Sequence, residues 1–428
     1  MRWAMRQHVA EAHPLLRGAY SLAGNTIVTS GLGLVYWIVA ARLFDERDLG
    51  RDAALIASLM LISSLCQLNL GNTLVRFLPT LRRRAGAMVL LAYGVSVALS
   101  LIVALGALFL APIVSDDLAL LDDEPLVALA YALGVGAWTL FALQDAALSA
   151  LRAAHWVPLE NAFYGVLKLA ALPLALALGL EHGVLLAWVL PLPLLIAPVS
   201  VLLFRRLLPR HAARAAPVER PLRTLGRGPL ARFLSQDFAA SVLAQLGGAL
   251  LPVVVAAMLG AVDNAYFYIP FTIVAAFDLL FIGVATSLTV EGAFGQERVG
   301  ALVRLAVARF GIVLAGGMVV LIAGAHLVLL PFGADYADRG DDVLRLMALA
   351  SLPRSAIYLY GAVQRLRGHG ARILAAQGAV VVVQFGLLAL LAPAWGLTGV
   401  GVAWLASALI VGLAVTPTLT RVLRTGDR

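Results

Sequence analysis

Residues 86–111, GAMVLLAYGVSVALSLIVALGALFLA, run on without a charged side chain. Such a segment has no face to offer water. In lipid every backbone polar group must be satisfied within the protein, so a lone spanning segment folds as an α-helix. Roughly 20 mostly apolar residues cross the hydrocarbon core. Twelve runs of that kind follow one another: 18–42, 52–78, 86–111, 125–151, 158–179, 183–204, 233–259, 264–290, 302–330, 342–364, 370–392 and 396–420. The fold class expected is all-α: a polytopic membrane protein of about 12 transmembrane helices. With 61% hydrophobic residues, 13% charged residues and a mean hydropathy of +0.93, the chain does not read as water-soluble.

The connections set the expected orientation, because Lys and Arg collect on the cytoplasmic side. Arg2, Arg6 and Arg17, the triplet 82–84, Arg152, the segment from Arg205 to Arg232, Arg365 to Arg372, and Arg421 to Arg428 all fall on one side. SDDLALLDDE at 115–124 and ADYADRGDD at 334–342 read as external loops on the other. No leader with a cleavage site precedes the first apolar run, so a retained, cytosolic N-terminus is expected, with the C-terminus on the same side. Cys66 is the one cysteine, so an intramolecular disulfide is excluded and the fold rests on helix packing.

The basic connection 205–232 divides the chain nearly in half. GVLLAWVLP at 183–191 matches GVGVAWLAS at 399–407, and VAARL at 39–43 matches VAAML at 255–259, both 216 residues apart. LRAAH (151–155) and LRGHG (366–370) echo one another at nearly that spacing, as do the two acidic loops. A duplicated six-helix unit follows, and an even helix number makes the repeats parallel, related by an axis along the membrane normal. The organisation expected is a cytoplasmic segment 1–17, a six-helix bundle 18–204, the linker 205–232, a second bundle 233–420 and a cytoplasmic tail 421–428, with a substrate path between pseudo-symmetric bundles.

GNTIVTSGLGLVYWIVAARLFDERDLG (24–50), a second helix ending LGNTLVRFLP (70–79), and PFGADYADRGDDVLRLMALASLPRS (331–355) with LRGHG resemble the polysaccharide flippases of the multidrug/oligosaccharidyl-lipid/polysaccharide exporter superfamily. The resemblance covers essentially the whole chain. It implies two six-helix bundles around a central cavity, in a bacterial cell membrane, moving a polyprenyl-diphosphate-linked oligosaccharide from inner to outer leaflet by alternating access. The partners it implies are the lipid-linked saccharide, membrane lipids, and a glycan polymerase or glycosyltransferases of the same pathway; nucleic acid is not among them. Some relatives have fourteen helices, and no thirteenth or fourteenth run is found here.

Polar groups at membrane depth carry what the sequence says about cargo, since a charge there costs about 2.5–3.5 kcal/mol on insertion scales. Lys168, Asp278 and Arg354 fall mid-helix, whereas Arg76, Asp145, Glu160 and Asp237 lie near cytoplasmic ends. Glu160, Tyr164 and Lys168 share one helix face by i, i+4, i+8 spacing. Lys168 and Arg354 have two readings: ion pairs with a carboxylate such as Asp278, or a cationic site for diphosphate, onto which arginine forks and lysine acts as a point charge. Asp145, Glu160, Asp237 and Asp278 read as ion-coupling groups or as counter-charges. Asn69, Asn72 or Thr73, and Arg76 form a polar stripe at helical spacing, so Arg76 either admits the diphosphate or simply snorkels to the headgroups. Trp37, Trp138, Trp188 and Trp395 are expected to be interfacial anchors. The segment 205–232 is a solvated connector or contacts anionic lipid. Prolines 173, 191, 193, 198, 252, 270 and 353 supply bends.

Enzymatic readings find no support. The sole lysine stands in GVLKLA, so GxxxxGK[ST] does not occur. The seven histidines lack HExxH spacing, and one cysteine builds no zinc site. No catalytic residue, metal or cofactor is expected. Beside the flippase reading stand an organic-cation or drug exporter on the same fold, which would want carboxylates and aromatics, and a non-transporting scaffold of a glycan-synthesis complex.

Overall fold

The computed structural model describes residues 29–81, 84–115, 118, 120, 124–214, 227–294 and 315–425. Among them the regular structure is helical. In chain order the helices are α1 (Thr29–Leu43), α2 (Glu46–Cys66), α3 (Leu70–Phe77), α4 (Ala85–Val114), α5 (Pro125–Ala150), α6 (Trp156–Ala177), α7 (Gly183–Val189), α8 (Leu192–Leu202) and α9 (Leu208–Arg214). They continue with α10 (Arg227–Ala249), α11 (Leu251–Leu259), α12 (Ala261–Phe294), α13 (315–323), α14 (Ala325–Leu329), α15 (Ala334–Leu366) and α16 (Gly370–Thr425). Nine helical stretches among the described residues are long and apolar enough to cross a membrane, which is the make-up of a multi-pass membrane protein.

Several elements depart from the expected runs. The run 52–78 starts earlier, at Glu46, and breaks at 67–69, where Leu68 (φ 46°) and Asn69 (φ 61°) are both left-handed. The acidic stretch 334–342 is not a loop but the first turns of α15, where Asp335 complements the partial positive charge of the helix N-terminus. The runs 370–392 and 396–420 continue one another across Gly396, whose φ of 57° and ψ of −136° break the helical path. The ninth run, 302–330, falls within the described residues only from 315, and the first run only from 29. Where the linker is described it is helical: a π-turn at Leu203–Leu207 leads into α9, α10 begins at Arg227, and residues 215–226 lie outside the described residues.

The chain divides into two compact units, Met1–Leu43 with Ile62–Phe109 and Leu120–Val218, and Phe44–Leu61 with Leu110–Ala119 and Glu219–Arg428. The sequence-based bounds 18–204 and 233–420 differ from these at 44–61 and 110–119. For the first of those segments the reason is local: Asn264 Nδ2 at the start of α12 donates to Gly50 O of α2 at 2.7 Å, and Gly50 meets the Ala261 backbone directly.

In the first unit Leu74 and Leu78, Val89 and Tyr93, Leu143 and Ala147, and Leu203 and Leu208 close one core. A satellite of Phe141, Tyr164 and Leu192 joins α5, α6 and α8. Water drives no burial between helices in lipid, so close van der Waals packing and small residues hold them together. Helix α4 buries little and presents Leu91, Ile102, Phe109 and Ile113, as a lipid-facing helix does. In the second unit Ile357, Tyr360, Val363, Val380, Val411 and Val415 join α15 to both segments of α16. Gly412 makes this approach possible, since a Cβ there would meet the Pro353 backbone oxygen at 2.9 Å.

One local geometry recurs 216 residues apart. Helix α5 ends with Arg152 at φ 57°, Ala153 N–H donating to Leu148 O and Arg152 N–H to Ser149 O. Helix α15 ends with Gly368 at φ 71°, His369 N–H donating to Gln364 O and Gly368 N–H to Arg365 O. Both are Schellman ends, which satisfy the last helical carbonyls through a left-handed residue. The LRAAH and LRGHG echo therefore marks a repeated fold element rather than a coincidence of arginines.

Candidate functional site

Helix α6 buries the face carrying Glu160, Tyr164 and Lys168, together with Leu172 and Ala175. Lys168 is 5% exposed. Its Nζ lies 3.5 Å from the centroid of the Trp188 ring, 4.7 Å from that of Tyr36 and 5.2 Å from that of Tyr164. The phenols are turned away from the ammonium: Tyr36 donates to Val184 O at 2.7 Å, and Tyr164 to Trp188 O at 2.9 Å. Helix α7 thus anchors both rings through its carbonyls and supplies the third ring itself. Trp37 and Trp138 back the box, their centroids 6.0 and 5.8 Å from Trp188. Lys168 makes no ion pair with a carboxylate among the described residues. The π faces offset part of the desolvation cost, at about 2 kcal/mol for a buried cation, but they leave its charge uncancelled. Trp188 Nε1 is buried and has no acceptor among the described residues.

Arg354, in the second unit, is placed otherwise. Its Nε donates to Asp278 Oδ2 at 2.9 Å, and its Nη2 to Tyr358 Oη at 3.0 Å. Asp278 accepts further from Ser351 Oγ at 2.9 Å and Tyr358 Oη at 3.3 Å. The guanidinium carbon lies 4.1 Å from the Trp404 ring centroid. Of the two readings of the deep cations, Arg354 takes the ion pair with Asp278 and Lys168 does not. A charge-assisted pair with every carboxylate oxygen bonded is a closed arrangement.

Asp145 and Glu160 stand near Tyr93 in the first unit. Asn161 Nδ2 reaches Asp145 Oδ2 at 3.5 Å. Asp145 Oδ1, both Glu160 carboxyl oxygens and Tyr93 Oη are buried without a hydrogen-bond partner among the described residues.

The polar stripe on the second run is not continuous. Asn69 is the left-handed N-cap of α3, and its Oδ1 accepts from Asn72 Nδ2 at 2.6 Å while its backbone carbonyl accepts from Thr73 Oγ1 at 3.2 Å. These groups begin a helix, a local use that the spacing 69, 72, 73 also permits. Arg76 and Asp237 are helical, but their side chains lie outside the described residues.

Trp37 and Trp188, at 4% and 6% exposed, are interior, and Trp138, half-buried, backs the Lys168 box beside them. Trp395 is 58% exposed. Sequence reasoning missed Tyr36, Tyr93, Ser351, Tyr358 and Trp404. The one available signal was the matched pair GVLLAWVLP and GVGVAWLAS, which places Trp188 and Trp404 at equivalent positions.

No family model and no curated protein matches the chain. Solved structures do. An inward-facing multidrug resistance MATE family transporter of the MOP superfamily superposes with a TM-score of 0.69 at 16% identity, over 93% of this chain and 96% of that one. The lipid II flippase MurJ in an inward closed conformation gives 0.71 at 12% identity, over 93% and 87%. A MOP superfamily transporter from Pyrococcus furiosus, described as having a binding pocket of reverse polarity, gives 0.59 at 15% identity, over 95% of this chain and 96% of that one. The chain has the fold of the MOP superfamily transporters.

Proposed function

We propose that this protein is a transporter that carries a polyprenyl-diphosphate-linked oligosaccharide from the inner to the outer leaflet of a bacterial cell membrane, with both chain termini cytoplasmic. The observation that carries the reading is Lys168: a buried ammonium held by ring faces, with no carboxylate paired to it among the described residues and with the donor Trp188 Nε1 beside it unused among them. Such a group attracts an anion that enters from elsewhere, and a phosphate offers acceptors to both donors. The likeness in fold to a lipid II flippase supports the same class of cargo.

A second reading, export of organic cations, is favoured by the fold likeness to a multidrug transporter and by Glu160 and Asp145, which have no ion pair among the described residues. It meets one obstacle in the aromatic box. The faces that would hold a cationic cargo are already covered by the lysine, and like charges repel.

The test is deletion of the gene, followed by mass spectrometry of lipid-linked intermediates and by measurement of sensitivity to organic cations. Accumulated intermediates, cleared by the wild-type gene and not by Lys168→Gln expressed at equal level, are the expected result. Unchanged intermediates with raised cation sensitivity would replace the flippase reading by the exporter one.

A further inference from the structure

Two neighbouring helices of the first unit end their exposed apolar stripes in arginine. On α8 the exposed stripe runs through Leu194, Ala197, Pro198 and Val201, and the exposed positions that continue it through the π-turn and α9 are Arg205, Arg206, Pro209 and Arg210. Leu203 and Leu208, between them, are buried in the core. On α4 the exposed stripe of Leu91, Leu90 and Ala87 reaches Arg84 one turn earlier. The two ends are fixed side by side: His211 Nε2 of α9 donates to the Leu81 carbonyl at 2.9 Å, and the rings of Tyr93 and Phe204 meet edge to face with centroids 6.2 Å apart. The helical stretch Gly183–Ala213 has 31 residues, which at 1.5 Å per residue is about 46 Å, against roughly 30 Å of hydrocarbon. Its last turns therefore stand at headgroup depth, and arginines that continue its lipid-facing stripe meet phospholipid there. Their charge has no local opponent, since residues 53–115 and 182–218 contain no aspartate or glutamate.

We infer that Arg84, Arg205, Arg206 and Arg210 form a docking surface for anionic phospholipid, in the leaflet that the proposed orientation makes cytoplasmic. A guanidinium forks onto the oxygens of a phosphodiester, and the acyl chains of the same lipid lie along the apolar stripes that lead up to the arginines. That continuity of apolar stripe and charge fits a lipid and not a free phosphate. It also separates these four arginines from a solvated connector, whose charges would project away from the lipid-facing side. The inference does not rest on the cargo reading.

The experiment places the full chain in nanodiscs of phosphatidylcholine alone and of phosphatidylcholine with phosphatidylglycerol in equal parts. Thermal unfolding is followed in both, and native mass spectrometry counts the lipids retained on release from the mixed discs. A lipid that binds the folded state raises the unfolding midpoint. The wild type is expected to retain phosphatidylglycerol in preference to phosphatidylcholine and to unfold at a higher temperature in the mixed discs, both effects declining with added salt. Each Arg→Gln substitution at 84, 205, 206 or 210 should weaken phosphatidylglycerol binding about fivefold, the worth of one basic side chain at an anionic surface. The quadruple Gln variant should lose the preference and keep the wild-type midpoint in phosphatidylcholine alone, which separates lost binding from lost fold; the quadruple Lys variant should keep part of the preference. The control is Arg365→Gln with Arg367→Gln, exposed arginines that no exposed stripe leads into, since residues 353–364 hold no exposed position; it should retain the lipid as wild type does. Lys168→Gln should retain it too, so a failure of the cargo reading leaves this test intact. A wild type without lipid preference or midpoint shift would overturn the inference, as would a preference that survives in the quadruple Gln variant. An equal loss in the control would show diffuse charge attraction, and an equal midpoint shift from inorganic phosphate in phosphatidylcholine discs would show a free-anion site; either result overturns it.

Discussion

Trp188 and Trp404, 216 residues apart in matching sequence segments, each hold a cation against the indole face: the buried Lys168 with Nζ at 3.5 Å and the half-buried Arg354 with Cζ at 4.1 Å from the ring centroids. Both indole nitrogens are buried without an acceptor among the described residues. The cations are not themselves equivalent, since Lys168 comes from α6, the helix before its tryptophan's, whereas Arg354 comes from α15 and Trp404 from the second segment of α16. The matched segments share the aromatic platform while the charge on it is supplied from different helices. Arg354 is paired with Asp278, and Lys168 has no ion pair among the described residues.

Lys168→Met is expected to leave stability nearly unchanged and to abolish transport. Removing the charge recovers about 2.5–3.5 kcal/mol of burial cost and forfeits about 2 kcal/mol of cation–π attraction. A double-mutant cycle in thermal unfolding checks the second figure: Trp188→Leu should cost more with lysine at 168 than with methionine. Additive effects would mean that the ring does not hold the ammonium.

Asp278→Asn leaves the half-buried Arg354 guanidinium without its counter-charge and is expected to destabilise by up to about 3 kcal/mol, the low end for a buried pair. Adding Arg354→Met should restore much of the loss, because the pair is then removed together. Chemical or thermal unfolding of the two variants decides it; a double variant as weak as the single one would show that Asp278 serves something other than Arg354.

Gly50→Ala places a methyl group onto the Ala261 carbonyl and is expected to destabilise by at least about 1–3 kcal/mol, since backbone rather than a flexible side chain must move. Gly106→Ala, where nothing stands within 4 Å, should be neutral or stabilising by up to about 1 kcal/mol through helix propensity. Expression level and unfolding midpoint in detergent distinguish the two.

Arg152→Gly is expected to stabilise slightly. Arg152 holds a φ of 57°, where its repeat counterpart is Gly368 at 71°; a non-glycine residue in that region costs about 1–2 kcal/mol. The gain is offset in part by the greater freedom of glycine in the unfolded chain, so a rise of a degree or two in unfolding midpoint is the measurable outcome.

Orientation is testable with single cysteines. Cys66 is 3% exposed, and Cys66→Ser gives a clean background. In intact cells an impermeant maleimide should label Ala119→Cys and spare Ala215→Cys. Labelling at 215 would invert the topology.

The sequence by itself determined the membrane class, the positions of most helices and the existence of a repeat. Hydrophobic length and the 3.6-residue period act locally, so they are written into each segment without reference to its neighbours. The buried face Glu160, Tyr164, Lys168 was legible for the same reason. Only the tertiary structure decided which deep charge is cancelled. Asp278 and Arg354 are 76 residues apart and Lys168 and Trp188 are 20 apart, and nothing in periodicity says that the carboxylate closes on the arginine and passes the lysine by. It also moved Trp37 and Trp188 from an expected interface to an interior box, because amphipathic rings serve either place and the choice depends on what faces them. The left-handed pair Leu68–Asn69 was hidden by its setting: an apolar run hides a helix break when the break is made by backbone dihedrals and not by proline or glycine.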